Sequence, residues 1–469
     1  MRKNLVLLIV SFLLCMPEFA SSKKKKDVKD KENEIVEVVD ASNSQLKFNI
    51  LTDSTAEVTS DDSYWSLISA TIPAKIRIGD YIFTVTNIGT KAFEKCQNLA
   101  SVEIPSSVTS IGDEAFSDCN SLIKIKIPST VTSIGEGAFF GCKSLTDIEL
   151  PSNITSIEYG VFEGCKELSS IKIPSNVSSI GSVAFNQCTS LKKIEIPSKV
   201  ASIGNGAFYG CEKLKSINVD PNNTEYSTMD GVLYNKDKSE IVVVPGAAKG
   251  KFIIPSSVNS INKGAFAKCK ELKSIEIPSS VTYIGEFAFS NCDGLTSIEI
   301  PTSVTQIDDY AFSTCKNIKS IVIPSSVTNI GDWVFSHCYG LTNIEIPSSV
   351  TSIGDWAFAN CEELISIKIP SNVTSLGDRA FFHCFSLTNI NIPSSVTRLG
   401  NSSFEKCTGL TSIEIPSSVT HIGEKAFYDC KNLNVVIDNS EDKVKIGNDA
   451  FLECGSVTFT KNTIEQTER

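Results

Sequence analysis

The sequence predicts a repeat solenoid: short parallel strands joined by short helical or 3-10 turns, wound into about 15 coils of 23 residues with one inserted hairpin. Cysteines carry the first signal. They fall at 96, 119, 142, 165, 188 and 211, then at 269, 292, 315, 338, 361, 384, 407 and 430, and last at 454, so every gap is 23 residues except one of 58 and a final one of 24. Around each cysteine the same order of strand-like, Pro-ended and Ala-Phe-containing pieces returns. A unit this short cannot bury its own apolar face, so units must stack on one another. With 41% hydrophobic and 21% charged residues, the chain can fill a continuous core.

Each piece of the unit has a reading, taken here from Leu295. Leu295, Ile298 and Ile300 alternate as a short strand should, with Glu299 pointing away from the core. Pro301 ends that strand because it has no N–H to give a ladder. Val304 and Ile307 form a second extended edge, and the Gly that follows in most units, such as Gly285, Gly331 and Gly354, predicts a tight bend. Ala311, Phe312 and Cys315 stand at helical spacing, which predicts one short helix or 3-10 turn burying all three. The acid or Asn before it, Asp332 or Asn401 for example, is placed to cap that turn.

The cysteines read as a buried column of thiols and not as a disulfide framework. Apart from Cys15 there is one per unit, an odd number in all. Coils of a parallel solenoid lie about 4.8 Å apart with side chains pointing the same way, whereas a disulfide needs facing Cβ atoms nearer ~3.8 Å.

The flanks divide the rest. Arg2 and Lys3, the apolar run from Leu5 to Cys15 broken only by Ser11, and the small residues Ala20-Ser21-Ser22 make residues 1–22 a secretory signal. The run is about half the ~20 residues a spanning helix needs, so no membrane span is expected. Residues 23–34 read as a charged linker, 35–95 as N-terminal cap strands and a first coil, 96–217 as coils, 218–252 as the inserted hairpin, 253–432 as further coils, and 433–469 as a C-terminal cap. Phe48 to Val58 and Ile72 to Ile88 alternate enough to supply the cap strands. The net charge is −11, and −12 once residues 1–22 are removed, which disfavours nucleic acid and anionic lipid as partners.

The phrase Ile-Pro-Ser-Ser-Val-Thr-x-Ile-Gly-x-x-Ala-Phe-x-x-Cys, intact at Ile277 to Cys292 and at Ile415 to Cys430, resembles the BspA-like subclass of leucine-rich repeats. The insert sequence Asp230-Gly231-Val232-Leu233-Tyr234 is similar to an element of the same family. The resemblance implies a leucine-rich-repeat solenoid of a secreted or cell-surface protein from a host-associated microbe, with adhesion as a recurrent role. It does not imply a ligand.

Chemistry-bearing motifs point away from an enzyme. His337, His383 and His421 are the only histidines, which excludes a His-Glu-x-x-His zinc site. His337 and His383 share a column two coils apart, roughly 10 Å, too far to share a metal. No nucleophile elbow, phosphate loop or Cys-x-x-Cys pair occurs, so no catalytic residue, metal or cofactor is expected. The outward strand column Glu103, Lys126, Glu149, Lys172 and Glu195 alternates in sign as ladder neighbours should.

One column does stand out. The residue before Ala-Phe is Glu114, Gly137, Gly160, Val183, Gly206 and Gly264 early on, and Arg379, Ser402 and Lys425 late, but Phe287, Tyr310, Trp333 and Trp356 between them. By helical angle this position lies about 150° from the buried face, which predicts four exposed rings in successive coils. His337 and Asn360, one turn on, and Asp309, Asp332, Asp355 and Arg379 would supply a polar rim. This strip is the candidate binding site of an exported or cell-surface binding protein, an adhesin or interaction scaffold for extracellular or host proteins. A glycan-binding surface protein using stacked aromatics is the alternative.

Overall fold

A computed structural model of the chain describes residues 38–42 and 44–461. The leader and linker expected at 1–34 lie outside the described residues. Coils of the expected period stack into a parallel β-solenoid, and the apolar positions of the unit, Leu295, Ile298, Ile300, Val304, Ile307, Ala311, Phe312 and Cys315, are all buried.

Two rows of strands run along the array. In the first, Ser297–Glu299, Ser320–Val322, Asn343–Glu345, Ser366–Lys368 and Asn389–Asn391 make one parallel sheet. Its register places Ile298, Ile321, Ile344, Ile367 and Ile390 in line toward the core, with Glu299, Val322, Glu345, Lys368 and Asn391 outward. Pairing of Lys126 with Glu149 earlier in the chain sets opposite charges side by side, as the alternation predicts. The second row is shorter, two residues per coil, and runs unbroken from Asn329–Ile330 to Lys445–Ile446.

The third side corrects the sequence reading. Ala-Phe-x-x-Cys forms neither an α-helix nor a 3-10 helix; it is a chain of overlapping turns. Amides alternate in direction there. Ala288, Ser290 and Cys292 donate within the coil to Gly285, Phe287 and Phe289, while Phe287, Phe289 and Asn291 donate to Asp309, Ala311 and Ser313 of the next coil. The side therefore behaves as a third hydrogen-bonded row, which a helix with all its amides turned inward could not supply. The geometry requires left-handed backbone at two positions per coil, for example Phe287 (φ 56) and Asn291 (φ 58), or Gly137 (φ 58) and Gly141 (φ 68).

Glycine at the bend also has another cause. Gly331, Gly354 and Gly377 are not at positive φ; a Cβ on Gly377 would lie 2.5 Å from the carbonyl carbon and oxygen of Gly354 in the neighbouring coil. At Gly377 space, not bend, excludes a side chain. Glu158, Asn262 and Asp308 replace this glycine; the second row is interrupted before Ser156–Ile157 and after Gln306–Ile307, but it runs on through Ser260–Ile261.

Inside, Phe rings stack coil on coil at centroid separations of 5.0–5.8 Å. Beside them every described cysteine is free, all of them buried except the half-buried Cys454. Thiols along the column do more than fill space: Cys315 Sγ donates to Phe289 O at 3.1 Å, and Cys361 Sγ to Phe335 O at 3.2 Å, tying coils together.

The insert contains the expected hairpin, Tyr226–Met229 with Val232–Asn235, closed by Asp230 (φ 52) and Gly231 (φ 80) in the left-handed pair a two-residue turn needs. It is not mounted on one face. A third antiparallel strand, Glu240–Val243, pairs in parallel with Ser260–Ile261 and so enters the stack. Leu233 packs into the core of the preceding coils and Val232, Tyr234 and Ile241 into that of the following ones, because the hairpin is apolar on both faces. The N-terminal strands order as Val38–Asp40, Lys75–Ile78, Tyr81–Ile88, Thr55–Thr59, Lys47–Ile50, with Tyr81–Ile88 also pairing onto the second row. Strand Ser456–Phe459 pairs with Asn434–Ile437 at the other end. Among the described residues no helix is long and apolar enough to cross a membrane.

Candidate binding surface

The four aromatics of the odd column form one continuous ladder. Phe287 and Tyr310 stack at 4.5 Å, Tyr310 and Trp333 at 5.6 Å, and Trp333 and Trp356 at 4.3 Å, with interplanar angles of 22°, 11° and 9°. All four sit at positive φ (56–59°), where a large side chain is disfavoured by roughly 1–2 kcal/mol relative to glycine. The rings are half-buried and not fully exposed as the helical reading implied, because each covers the faces of its neighbours. Both ends are closed by cations: Lys263 Nζ lies 5.7 Å from the Phe287 centroid, and the Arg379 guanidinium 4.7 Å from that of Trp356. What remains accessible is therefore mainly a line of ring edges.

The polar residues expected at the rim flank this line, but they first serve the stack. Asp309 Oδ1 accepts from the Asp332 amide (2.8 Å), Asp332 Oδ1 from the Asp355 amide (2.7 Å), and Asp355 Oδ1 from the Asp378 amide (2.7 Å). Each acid thus caps the next coil and not its own turn, which corrects the capping expectation. Asn401 repeats the geometry without charge, accepting from the Glu424 amide at 2.9 Å. His337 lies parallel to Trp333 at 6.5 Å, its Nδ1 bonded to Ser336 Oγ (2.7 Å) and its Nε2 facing Asn360 Nδ2 (3.2 Å). Burial pushes the His337 pKa down.

Comparison with known proteins places the chain. Residues 63–188, 110–238, 248–362 and 330–458 match the BspA type leucine rich repeat region. The chain belongs to this family. A leucine-rich cell surface protein of Faecalibacterium prausnitzii is similar in structure, with 32% identity, a TM-score of 0.57, and coverage of 74% of this chain and 93% of that one. A leucine-rich repeat protein of Eubacterium ventriosum is also similar, at 28% identity and TM-score 0.57, covering 78% and 93%. Among curated proteins none matches.

Several groups of this BspA-type surface escaped the sequence reading. Phe382 tilts against Trp356 at 5.4 Å, carries His383 stacked on it at 3.7 Å, and so extends the aromatic patch around Arg379 toward Phe385. Tyr339 meets His337 edge-on. These residues lie in other columns of the unit, so a scan of one column does not find them. The acid column is also longer than the rim proposed from sequence, running Glu286, Asp309, Asp332, Asp355, Asp378. Burial, and then the nearby charges of Asp309, Asp332 and Glu286, raise the Tyr310 phenol pKa, which places those carboxylates close to the ladder. Between Gln306–Ile307 and Asn329–Ile330, where the second row is interrupted, an opening of about 360 Å³ is lined by Glu286, Gln306, Asp308, Asp309, Thr328 and Asn329. Asp308 is bonded there to Tyr283 Oη and, at 2.7 Å, to Gln306 Nε2. Among the described residues no cluster of His, Cys, Asp or Glu is arranged to hold a metal ion.

Proposed function

We propose that this protein is an exported, cell-surface binding protein, an adhesin or scaffold that engages extracellular or host proteins through the face carrying Phe287, Tyr310, Trp333 and Trp356. The observation that carries the reading is the placement of four large rings in succession at backbone positions that favour glycine. Packing inside the coil gives no reason for them, since Ala or Val followed by Phe and Cys fills the core behind these rings and behind coils with glycine in the column, such as those of Gly137 and Gly160. The cell surface protein of F. prausnitzii lends the location its support. A role as binder and not as enzyme fits polar groups that are already engaged: the acids hold backbone amides, and His337 sits between Ser336 and Asn360.

The glycan alternative is less well supported, because sugars stack on ring faces and here each face is covered by another ring or a cation. The deciding experiment is capture of the full chain on immobilised extracellular-matrix proteins and on glycans, for the native protein and for Trp333→Ala/Trp356→Ala. The reading expects protein capture that weakens by about 2 kcal/mol or more, roughly thirtyfold, in a variant that still folds. Capture by glycans alone, or protein capture unchanged in the variant, would overturn it.

A further inference from the structure

We propose that the partner of this face is a basic, extended protein segment, whose lysine or arginine stems lie across the ring edges and whose charged heads reach the acid column beside them. The inference rests on the binding surface proposed above and names the chemistry of what it takes.

Three observations lead to it. Asp309, Asp332, Asp355 and Asp378 occupy successive coils about 4.8 Å apart, and among the described residues none of them lies in an ion pair. Elsewhere in the same column the residues are mixed, Asp113, Glu136, Tyr159, Ser182 and Asn205, so stacking does not demand an acid. Each of Asp309, Asp332 and Asp355 gives one carboxylate oxygen to a neighbouring amide, a task that Asn401 performs uncharged. The uncompensated charge is therefore not explained by the fold. Like charges at this spacing repel, and a cationic partner relieves the repulsion.

The ring geometry selects how such a partner lies. Ring faces, which attract cations, are closed by the stack and by Lys263 and Arg379. Edges carry the positive end of the quadrupole, so they suit alkyl stems and peptide carbonyls and turn cationic heads aside. The heads then find the carboxylates one column away. Lys263 shows within the chain itself that one cation can serve both groups: its ammonium lies 5.7 Å from the Phe287 ring centroid and pairs with Glu286 at 2.5 Å. Midway along the ladder, the opening beside Glu286, Asp308 and Asp309 has room for one side chain of the partner.

The test uses the full chain and a fluorescent (Arg-Gly)5 peptide, with (Glu-Gly)5 and (Ser-Gly)5 as controls, followed by anisotropy. Asp309→Asn/Asp332→Asn/Asp355→Asn keeps the amide acceptors and removes the charge, so its melting temperature should match the native protein while (Arg-Gly)5 binds at least about tenfold more weakly. Trp333→Ala/Trp356→Ala should also weaken the peptide by about tenfold, and raising salt from about 50 to 300 mM should weaken native binding similarly. Absence of (Arg-Gly)5 binding, or equal binding by native and Asn-substituted chains, overturns the inference. If the tryptophan variant loses capture on matrix proteins while the Asn variant retains it, the binding surface stands and the basic partner falls. If the Asn variant loses (Arg-Gly)5 and the tryptophan variant does not, attraction is by charge alone and the ladder has no part in it.

Discussion

Substitution of Gly377 by alanine isolates the close approach of coils from every other role of glycine. A Cβ there would lie 2.5 Å from the carbonyl carbon and oxygen of Gly354 and 2.6 Å from the Asp355 amide nitrogen, all backbone atoms that cannot rotate away. Overpacking of this kind costs about 1–3 kcal/mol. Gly→Ala also removes freedom from the unfolded chain, which stabilises by about 0.4–1 kcal/mol where the backbone permits alanine. Repulsion therefore wins, by about 1–2 kcal/mol. Gly331→Ala is the control: its Cβ would meet Asp309 Oδ1 at 2.4 Å, but the next atoms stand 3.5 Å away. The exposed Asp309 side chain can swing aside, losing its bond to the Asp332 amide, worth about 1 kcal/mol, against the same entropic gain. The net effect should be close to zero. Hydrogen exchange read by mass spectrometry resolves the two, because in a stack held by nearest neighbours the damage stays local. For Gly377→Ala, amides of Ser352–Ile353 and Ser375–Leu376 should exchange roughly tenfold faster, and for Gly331→Ala those of Asn329–Ile330 should hardly change. Equal exchange in the two variants would refute contact with the neighbouring backbone as the reason for glycine.

Four further outcomes follow from the packing. Burial raises the thiols, Cys211 to about 12 and Cys454 to about 11, so among the described cysteines alkylation at pH 8 should reach the half-buried Cys454 first and the buried ones only after denaturation; disulfides between coils found by mass spectrometry would contradict this. Cys315→Ala should cost about 1–3 kcal/mol through the cavity left, read by urea denaturation. His337 has its pKa depressed below the ordinary 6.5 by burial, so the folded state favours the neutral ring: its contribution is present above pH 6.5 and is lost as pH falls through the lower folded value. Protection from hydrogen exchange around Asn360, corrected for the intrinsic pH dependence of exchange, should fall over that acid range in the native chain and less in His337→Gln. Finally, Trp333→Gly should destabilise by about 1–2 kcal/mol, since two stacked contacts outweigh the relief of positive φ, whereas Lys425→Gly, at φ 54 without a ring stack, should leave thermal stability equal or higher.

Most of the fold was legible because the period is strict. Cys315, Phe312 and Ile298 each recur in a fixed place, and a residue repeated in every coil must face the same neighbours above and below. The third side was misread because burial at Ala311, Phe312 and Cys315 fits a helical turn and a chain of overlapping turns equally well. A signal was present in the glycines: Gly137 and Gly141, Gly160 and Gly164, and Gly206 and Gly210 are each four apart, at the two left-handed positions of their coils. The same misreading made the rings fully exposed, although it found the right column. Phe382, His383 and the opening beside Asp308 depend on contacts between coils, which no single repeat displays.

The left-handed column also bears on why the aromatics are where they are. Glycine relieves the strain at single positions of this column, as at Gly137, Gly160, Gly206 and Gly264. Stacking offsets the backbone strain only if the rings come consecutively, since an isolated ring at positive φ has no neighbour to cover it, and the run from Phe287 to Trp356 is unbroken. Chance substitution would have to pass through strained single-ring intermediates, with nothing gained until the second ring arrived. Mutual stacking explains how the ladder is tolerated once formed. It does not explain why the ladder coincides with the stretch of unpaired acids from Asp309 to Asp378, which add repulsion to the same coils. On the proposed reading, an external partner that uses both accounts for the strained backbone under the ladder and for the repulsion among the acids beside it.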